Sequence, residues 1–264
     1  MLRHRILTTV VGLPLLIAII WFGEPWFTLL MATMAGLATW EFYHMAGRLK
    51  AQPITYFAIA LVVLMIISPH CPYPSTLPAL ITSAIIISLI WLLIRYPRDR
   101  AFTNWAWTMA GILYIGWMIS YWIQLRSLET GRALVFLAMF TTFANDTGAF
   151  LIGRAWGKHA LAPSISSGKT WEGAIGGLLF SIVASFLIGI LFTLPFNYWQ
   201  LALAGFIISI FAQLGDLVES LLKRNTGVKD AGKLVPGHGG VLDRLDSLIF
   251  TGVVVYYFVE LTKL

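Results

Sequence analysis

The sequence predicts an all-α polytopic membrane protein of about nine transmembrane helices, with its N-terminus cytosolic and its C-terminus on the opposite side. Three observations lead there. Apolar residues make up 58% of the chain and charged residues only 11%, whereas a soluble domain carries roughly 25% charged residues to coat its surface. Several apolar runs approach the roughly 20 residues that a membrane span needs, longer than a core helix requires. The basic residues, finally, lie in short connections that alternate sides as the runs succeed one another.

The runs place spans at 6–23, 26–46, 54–69, 77–94, 105–125, 132–152, 172–194, 199–222 and 246–262. Proline and glycine mark the breaks, at Gly23-Glu24-Pro25, Pro69 to Pro74, Pro97, Pro163 and Pro195. The run after Arg3-His4-Arg5 resembles the front of a signal peptide. It is long for one and no small-x-small cleavage site follows, so it reads as an uncleaved first span. The single cysteine, Cys71, excludes an internal disulfide. No internal repeat stands out, which argues against the inverted halves of many transporters.

Orientation follows from the charges. With the N-terminus inside, the cytosolic segments hold Arg3, Arg5, Arg48, Lys50, Arg95, Arg98, Arg100, Arg154, Lys158, Lys169, Lys223, Arg224, Lys229, Lys233 and Arg244, leaving Arg126, Arg132 and Lys263 on the other side. The net charge of +6 is thus the mark of membrane-facing loops, and nucleic acid is not an expected partner. Acidic residues concentrate late in the chain, at Asp146, Glu172, Asp216, Glu219, Asp230, Asp243 and Asp246. Residues 1–130 therefore read as a transmembrane scaffold, and 131–264 as a catalytic transmembrane region with cytosolic loops.

The most informative segment is Ser220 to Asp246, SLLKRNTGVKDAGKLVPGHGGVLDRLD. Lys223, Arg224, Lys229, Lys233 and Arg244 suit an anionic partner, although cytosolic loops are basic anyway. The turn Gly237-His238-Gly239-Gly240 lets backbone N–H groups approach phosphate closely. Asp243 and Asp246 stand three apart, so on a helix they share a face and can aim at one cation; magnesium is suited to a few carboxylates plus substrate phosphates.

Ser220, Lys223, Arg224, Lys229, Asp230, Gly232, Pro236, His238, Gly239, Gly240, Asp243, Arg244 and Asp246 closely resemble the signature of the phosphatidate cytidylyltransferases, or CDP-diacylglycerol synthases. Val235 departs from it, standing where a larger aliphatic residue or Phe is usual. Two further stretches are similar to that family. FANDTGAFLIGRAWGKH places Asn145 and Asp146 in the middle of a span, where an ionisable group is costly and faces a cavity or partner. SISSGKTWEG resembles an S-P-x-K-[ST]-x-E-G pattern, with Ser167 where proline is common. Its Gly168-Lys169-Thr170 is no Walker A motif, because position 163 is Pro163 and no strand is expected before it. Ser166, Ser167, Thr170 and Lys169 still offer hydroxyls and charge to phosphate. Asp216, one turn before Glu219, lies near the end of the eighth run and requires a partner: a cation shared with Asp246, or Lys223. Glu41 and His44 read as a structural pair at a helix end, and His70 and His159 as loop residues.

The resemblance implies transfer of CMP from CTP to phosphatidic acid, giving CDP-diacylglycerol and pyrophosphate. It implies Asp216, Asp246 and Asp243 as ligands of Mg2+, beside a second cation such as K+. Lys223, Arg224 and His238 then belong to the catalytic set. Lys169, Ser167, Thr170, Lys229, Arg244, Asn145, Asp146, Gly239 and Gly240 bind substrate. A homodimer in the inner (cytoplasmic) membrane, surrounded by membrane lipids and with its active site facing the cytosol, completes the expectation. The competing readings are another CTP-dependent lipid kinase or cytidylyltransferase, an ion transporter lined by Asp146 and Asp216, and a lipid-binding scaffold without catalysis.

Overall fold

The computed structural model describes residues 2–95, 100–234 and 239–262. Its apolar runs are helices, in the order α1 Leu2–Phe22, α2 Trp26–Arg48, α3 Thr55–Ile67, α4 Thr76–Arg95, α5 Ala101–Gly111, α6 Met118–Arg126, α7 Gly131–Trp156, α8 Trp171–Leu191, α9 Tyr198–Thr226 and α10 Leu242–Thr262. A π-helical stretch, Ile112–Trp117, joins α5 to α6 into one rod. Six helical segments among the described residues are long and apolar enough to cross a membrane: α4, the α5–α6 rod, α7, α8, α9 and α10. Val10–Phe22 and Thr55–His70 are shorter apolar helices.

The breaks fall at the punctuating residues. Gly23, at φ 76°, ends α1 in the left-handed conformation that glycine adopts freely. One departure from the all-α expectation lies between α7 and α8. There β1 (Ala160–Ala162) and β2 (Ser166–Thr170) form an antiparallel two-stranded sheet.

The chain forms two compact units. The first is Met1–Gln124 with Asn225–Leu245, and the second is Leu125–Arg224 with Asp246–Leu264. The segment 225–245 thus groups with the N-terminal helices, unlike the single boundary near residue 130 drawn from the sequence.

In the first unit, α2, α3 and α5 pack through small residues and hydrogen bonds. Tyr43 on α2 is buried and donates its hydroxyl to the Thr108 carbonyl at 2.7 Å, beneath Gly111. The segment leading into α10 is held by two buried carboxylates. Asp243 Oδ2 accepts the amides of Ala231 and Gly240 at 2.9 and 2.7 Å. Glu41, only 1% exposed, accepts the Leu242 amide at 2.9 Å through Oε2. Gly232 and Gly240 leave room for the Glu41 carboxylate, which a side chain at either position would strike.

In the second unit, α7 and α8 meet along glycines, as helices do where backbones approach closely in a membrane. A Cβ on Gly177 would lie 2.7 Å from Asn145 Oδ1, and one on Gly176 would strike Ile152. Ser181 and Ser185 of α8 donate to the Gly205 and Leu201 carbonyls of α9 at 2.8 and 2.7 Å. Gly215 lets α9 meet α10: a Cβ there would sit 2.6 Å from the Asp246 carbonyl oxygen.

Candidate active site

The hairpin between α7 and α8 builds one wall of a pocket in the second unit. Its register runs Ala160↔Thr170 and Ala162↔Ser166, so Ser167, Gly168 and Lys169 bulge opposite Leu161 alone. Such a bulge re-aims a side chain, and here Lys169 reaches α9, where its Nζ lies 2.8 Å from Asp216 Oδ2. Thr170 caps α8, its Oγ1 accepting the Gly173 amide at 3.1 Å. A strand therefore does lead into a helix here, contrary to the expectation from sequence. Gly168, Lys169 and Thr170 are part of that strand, so they do not form a loop wrapped around a phosphate.

Glu172, in the first turn of α8, braces the hairpin. Its Oε2 accepts the Lys158 and His159 amides at 3.1 and 3.2 Å, and its Oε1 pairs with His159 Nδ1. From α9, Arg224 Nε donates to the Ile165 carbonyl at 3.0 Å. Lys223 pairs with fully buried Glu219, one turn back on the same helix. The partner of Asp216 is thus Lys169, not Lys223, with Ser220 Oγ 3.4 Å from its other oxygen.

The pocket has a volume of about 250 Å³. Asn145, Asp146, Lys169, Thr170, Gln213 and Asp216 are its polar lining, and Gly173 and Ala174 bring the N-terminal turn of α8 to it. That helix end carries the partial positive charge that favours phosphate. Phe150 and Leu161 form an apolar side, and Phe150 is 62% exposed. At the floor, Asn145 is 1% exposed and hydrogen-bonded through both ends of its amide. Its Oδ1 accepts from Ser209 Oγ at 2.7 Å and Gln213 Nε2 at 3.2 Å, and its Nδ2 donates to Asp146 Oδ1 at 3.1 Å. Asn145 therefore orients Asp146, while Asp146 faces the cavity.

The remaining expected site residues lie as follows. Asp246 stands in the second turn of α10, its Oδ1 accepting the Ser247 amide at 2.6 Å, at the contact where Gly215 meets α10. Asp243, 8% exposed, is turned to the amides of Ala231 and Gly240. Sharing a helix with Asp246 does not fix its direction, since its Oδ2 is held by two loop amides. The Gly240 N–H is accordingly given to Asp243, and Gly239 takes φ 87° beside it. Ser167, Lys229 and Arg244 are exposed. His238 lies outside the described residues.

Gln213 is a lining residue that the sequence motifs do not include. The signal was a second polar residue one turn before Asp216 in an otherwise apolar run. The spacing pairs Glu41 with His44, yet Glu41 is buried on the Leu242 amide and His44 is exposed and stacked on Trp40.

The fit to a divalent ion can be judged from these donors. No group of three His, Cys, Asp or Glu side chains among the described residues could hold a metal by itself. Two hard carboxylates, Asp146 and Asp216, face the pocket, and a cationic ammonium already rests on one of them. That donor set suits magnesium, which is held by one or two carboxylates together with substrate phosphates.

Comparison with known proteins decides the family. A profile described as the cytidylyltransferase family matches residues 3–262. The chain belongs to that family. It is similar to the phosphatidate cytidylyltransferases of Staphylococcus haemolyticus (35% identical, covering 94% of this chain and 95% of the relative) and Bacillus subtilis (32%, 98% of each). The enzyme of that name from Pseudomonas aeruginosa is 33% identical, over 94% of this chain and 93% of its own. The protein is accordingly a CTP-dependent nucleotidyltransferase of the phosphatidate cytidylyltransferase family, and its apolar helices make it a multi-pass membrane protein.

Proposed function

We propose that this enzyme transfers CMP from CTP to phosphatidic acid. A phosphate oxygen of the lipid attacks the α-phosphorus of CTP, the bond to the β-phosphate oxygen breaks, and pyrophosphate leaves with CDP-diacylglycerol as the product. The observation that carries this reading is the pocket itself. It combines a lysine, two carboxylates and a helix N-terminus with an exposed apolar wall, in a chain related over nearly its full length to enzymes of that name.

Each part has a task in this scheme. Lys169 leaves Asp216 for the triphosphate and neutralises the departing pyrophosphate. The N-terminal turn of α8, capped by Thr170, receives phosphate oxygens. Asn145 and Gln213 hold Asp146 toward the cavity. The apolar side at Phe150 and Leu161 admits the lipid laterally, with its head group at the pocket. The lipid phosphate is already ionised near neutral pH, so no general base is needed.

Asp216 and Asp146, with Asp246 beside them on α10, are the residues we assign to Mg2+, with K+ as a second ion to test. When bound, the metal supplies charge stabilisation for an attack of one anion on another. Asp243 is assigned to holding the loop. Arg224 and Lys223 keep the end of α9 in place, and the exposed Lys229, Arg244 and Ser167 are available to substrate phosphate. We further propose nine spans with the N-terminus inside and a homodimer in the cytoplasmic membrane, its active site toward the cytosol.

The test is purified protein in detergent with labelled CTP and phosphatidic acid, with and without magnesium. Magnesium-dependent release of pyrophosphate and formation of CDP-diacylglycerol support the proposal. Release of CDP would instead mark a lipid kinase.

A further inference from the structure

A second pocket, of about 500 Å³, lies where α2 ends and α3 begins, lined by Trp40, Tyr43, His44, Gly47, Arg48 and Tyr56 together with Thr55. All these residues belong to the first unit, whereas the lining of the reaction pocket belongs to the second.

The walls are built features. Tyr43 is anchored on the Thr108 carbonyl. The α2–α3 connection is fastened to α5, the Gln52 amide donating to Asn104 Oδ1 at 2.7 Å and the Ile54 amide to Thr108 Oγ1 at 3.0 Å. Asn104 and Thr108 are both buried. Helix α2 closes on the Lys50 and Ala51 amides, which bond back to the Gly47 and Ala46 carbonyls. This brings Lys50 to φ 60°, the position of a helix-ending glycine. The Trp40 and His44 rings stack, with centroids 5.6 Å apart and planes 17° from parallel.

Charge in this pocket is unmatched. Among the described residues Arg48 has no ion-pair or hydrogen-bond partner, and His44 has only its stack on Trp40. A guanidinium offers five donors in a planar fork that matches phosphate oxygens. Arg48, Lys50 and Arg100 gather at this end, with Arg100 donating to the Lys50 carbonyl at 3.2 Å. Hydrocarbon does not host such charges, so this end lies at a water boundary. Trp40 and the 88% exposed Tyr56 are residue types that favour that depth.

We propose that this pocket binds the phosphate of an anionic phospholipid head group. Arg48 and His44 contact the phosphate oxygens, and Trp40 and Tyr56 pack against the glycerol backbone. The chemistry read from the pocket is that of a phosphate ester; the membrane-boundary aromatics assign its source to a lipid.

The test uses the full chain in nanodiscs of phosphatidylcholine doped with phosphatidylglycerol, without CTP, and reads retained anionic lipid by native mass spectrometry. Arg48→Ala should lower retention about fivefold, and Arg48→Ala with His44→Ala further. Arg154→Ala, an exposed basic residue of the second unit, should leave it unchanged. Unchanged retention in the double variant overturns the proposal. So does an equal loss in Arg154→Ala, which would mark a general surface-charge effect. Displacement of the lipid by millimolar inorganic phosphate would assign the pocket to a soluble phosphate ester and overturn the lipid assignment. CTP turnover by Arg48→Ala at saturating substrate should match wild type, which separates this pocket from the reaction site.

Discussion

The pocket between α7, α8 and α9 and the loop leading into α10 use the same residue types in opposite ways. In the pocket, Asp146 and Asp216 face an open cavity, and the cation on Asp216 is the Lys169 ammonium. At the loop, Glu41 and Asp243 are buried, and three backbone amides bond to one oxygen of each carboxylate. A carboxylate that meets a cavity is available for chemistry. One that meets unpaired N–H groups becomes part of the backbone's hydrogen bonding, because leaving those groups unpaired would cost more. Motif membership therefore does not separate the two roles; the direction of the side chain does.

Substitutions can break this contrast. Asp216→Asn should lower pyrophosphate release about 10²- to 10³-fold while leaving expression and thermal unfolding near wild type. Retained turnover would remove Asp216 from the reaction. Lys169→Met should reduce kcat/KM for CTP about tenfold to a hundredfold, the loss expected for a charged hydrogen bond to phosphate, with Lys169→Arg recovering part of it. An unaltered CTP dependence would mean that the pair with Asp216 is only structural.

On the loop side the first loss should be in stability. Glu41→Ala leaves the Leu242 amide without its acceptor and should cost about 1–3 kcal/mol, seen as a lower unfolding midpoint in detergent and faster proteolysis between 228 and 241. Glu41→Gln keeps an acceptor oxygen and should restore most of it; a variant as unstable as Glu41→Ala would argue that the negative charge itself is needed. The smallest effect is expected for Arg224→Ala, which removes one exposed bond to the Ile165 carbonyl and should cost about 0.5–1.5 kcal/mol. A much larger loss of activity than of stability there would place Arg224 on substrate instead.

Much of this was legible in the chain. The long apolar runs mark the helices, since hydrocarbon admits little else, and Asn145, Asp146 and Asp216 stand out as polar groups inside them. Other features were hidden. The hairpin 160–170 is too short and too polar to show a strand period, and its bulge sends Lys169 to Asp216 rather than to solvent. Glu41 and His44 share a helical spacing yet part company, because one faces the loop amides and the other the α2–α3 pocket.

The sequence by itself determined the membrane class, the helix positions, the family signature and the residue types able to handle phosphate, because each follows from local composition and spacing. Only the tertiary structure decided which carboxylates remain available. It put Lys169 on Asp216, Asn145 beneath Asp146, and Glu41 and Asp243 on backbone amides. Those pairings join residues up to 201 positions apart, as Glu41 and Leu242 are. Glycines leave room for several of them, Gly177 for Asn145 and Gly232 and Gly240 for Glu41.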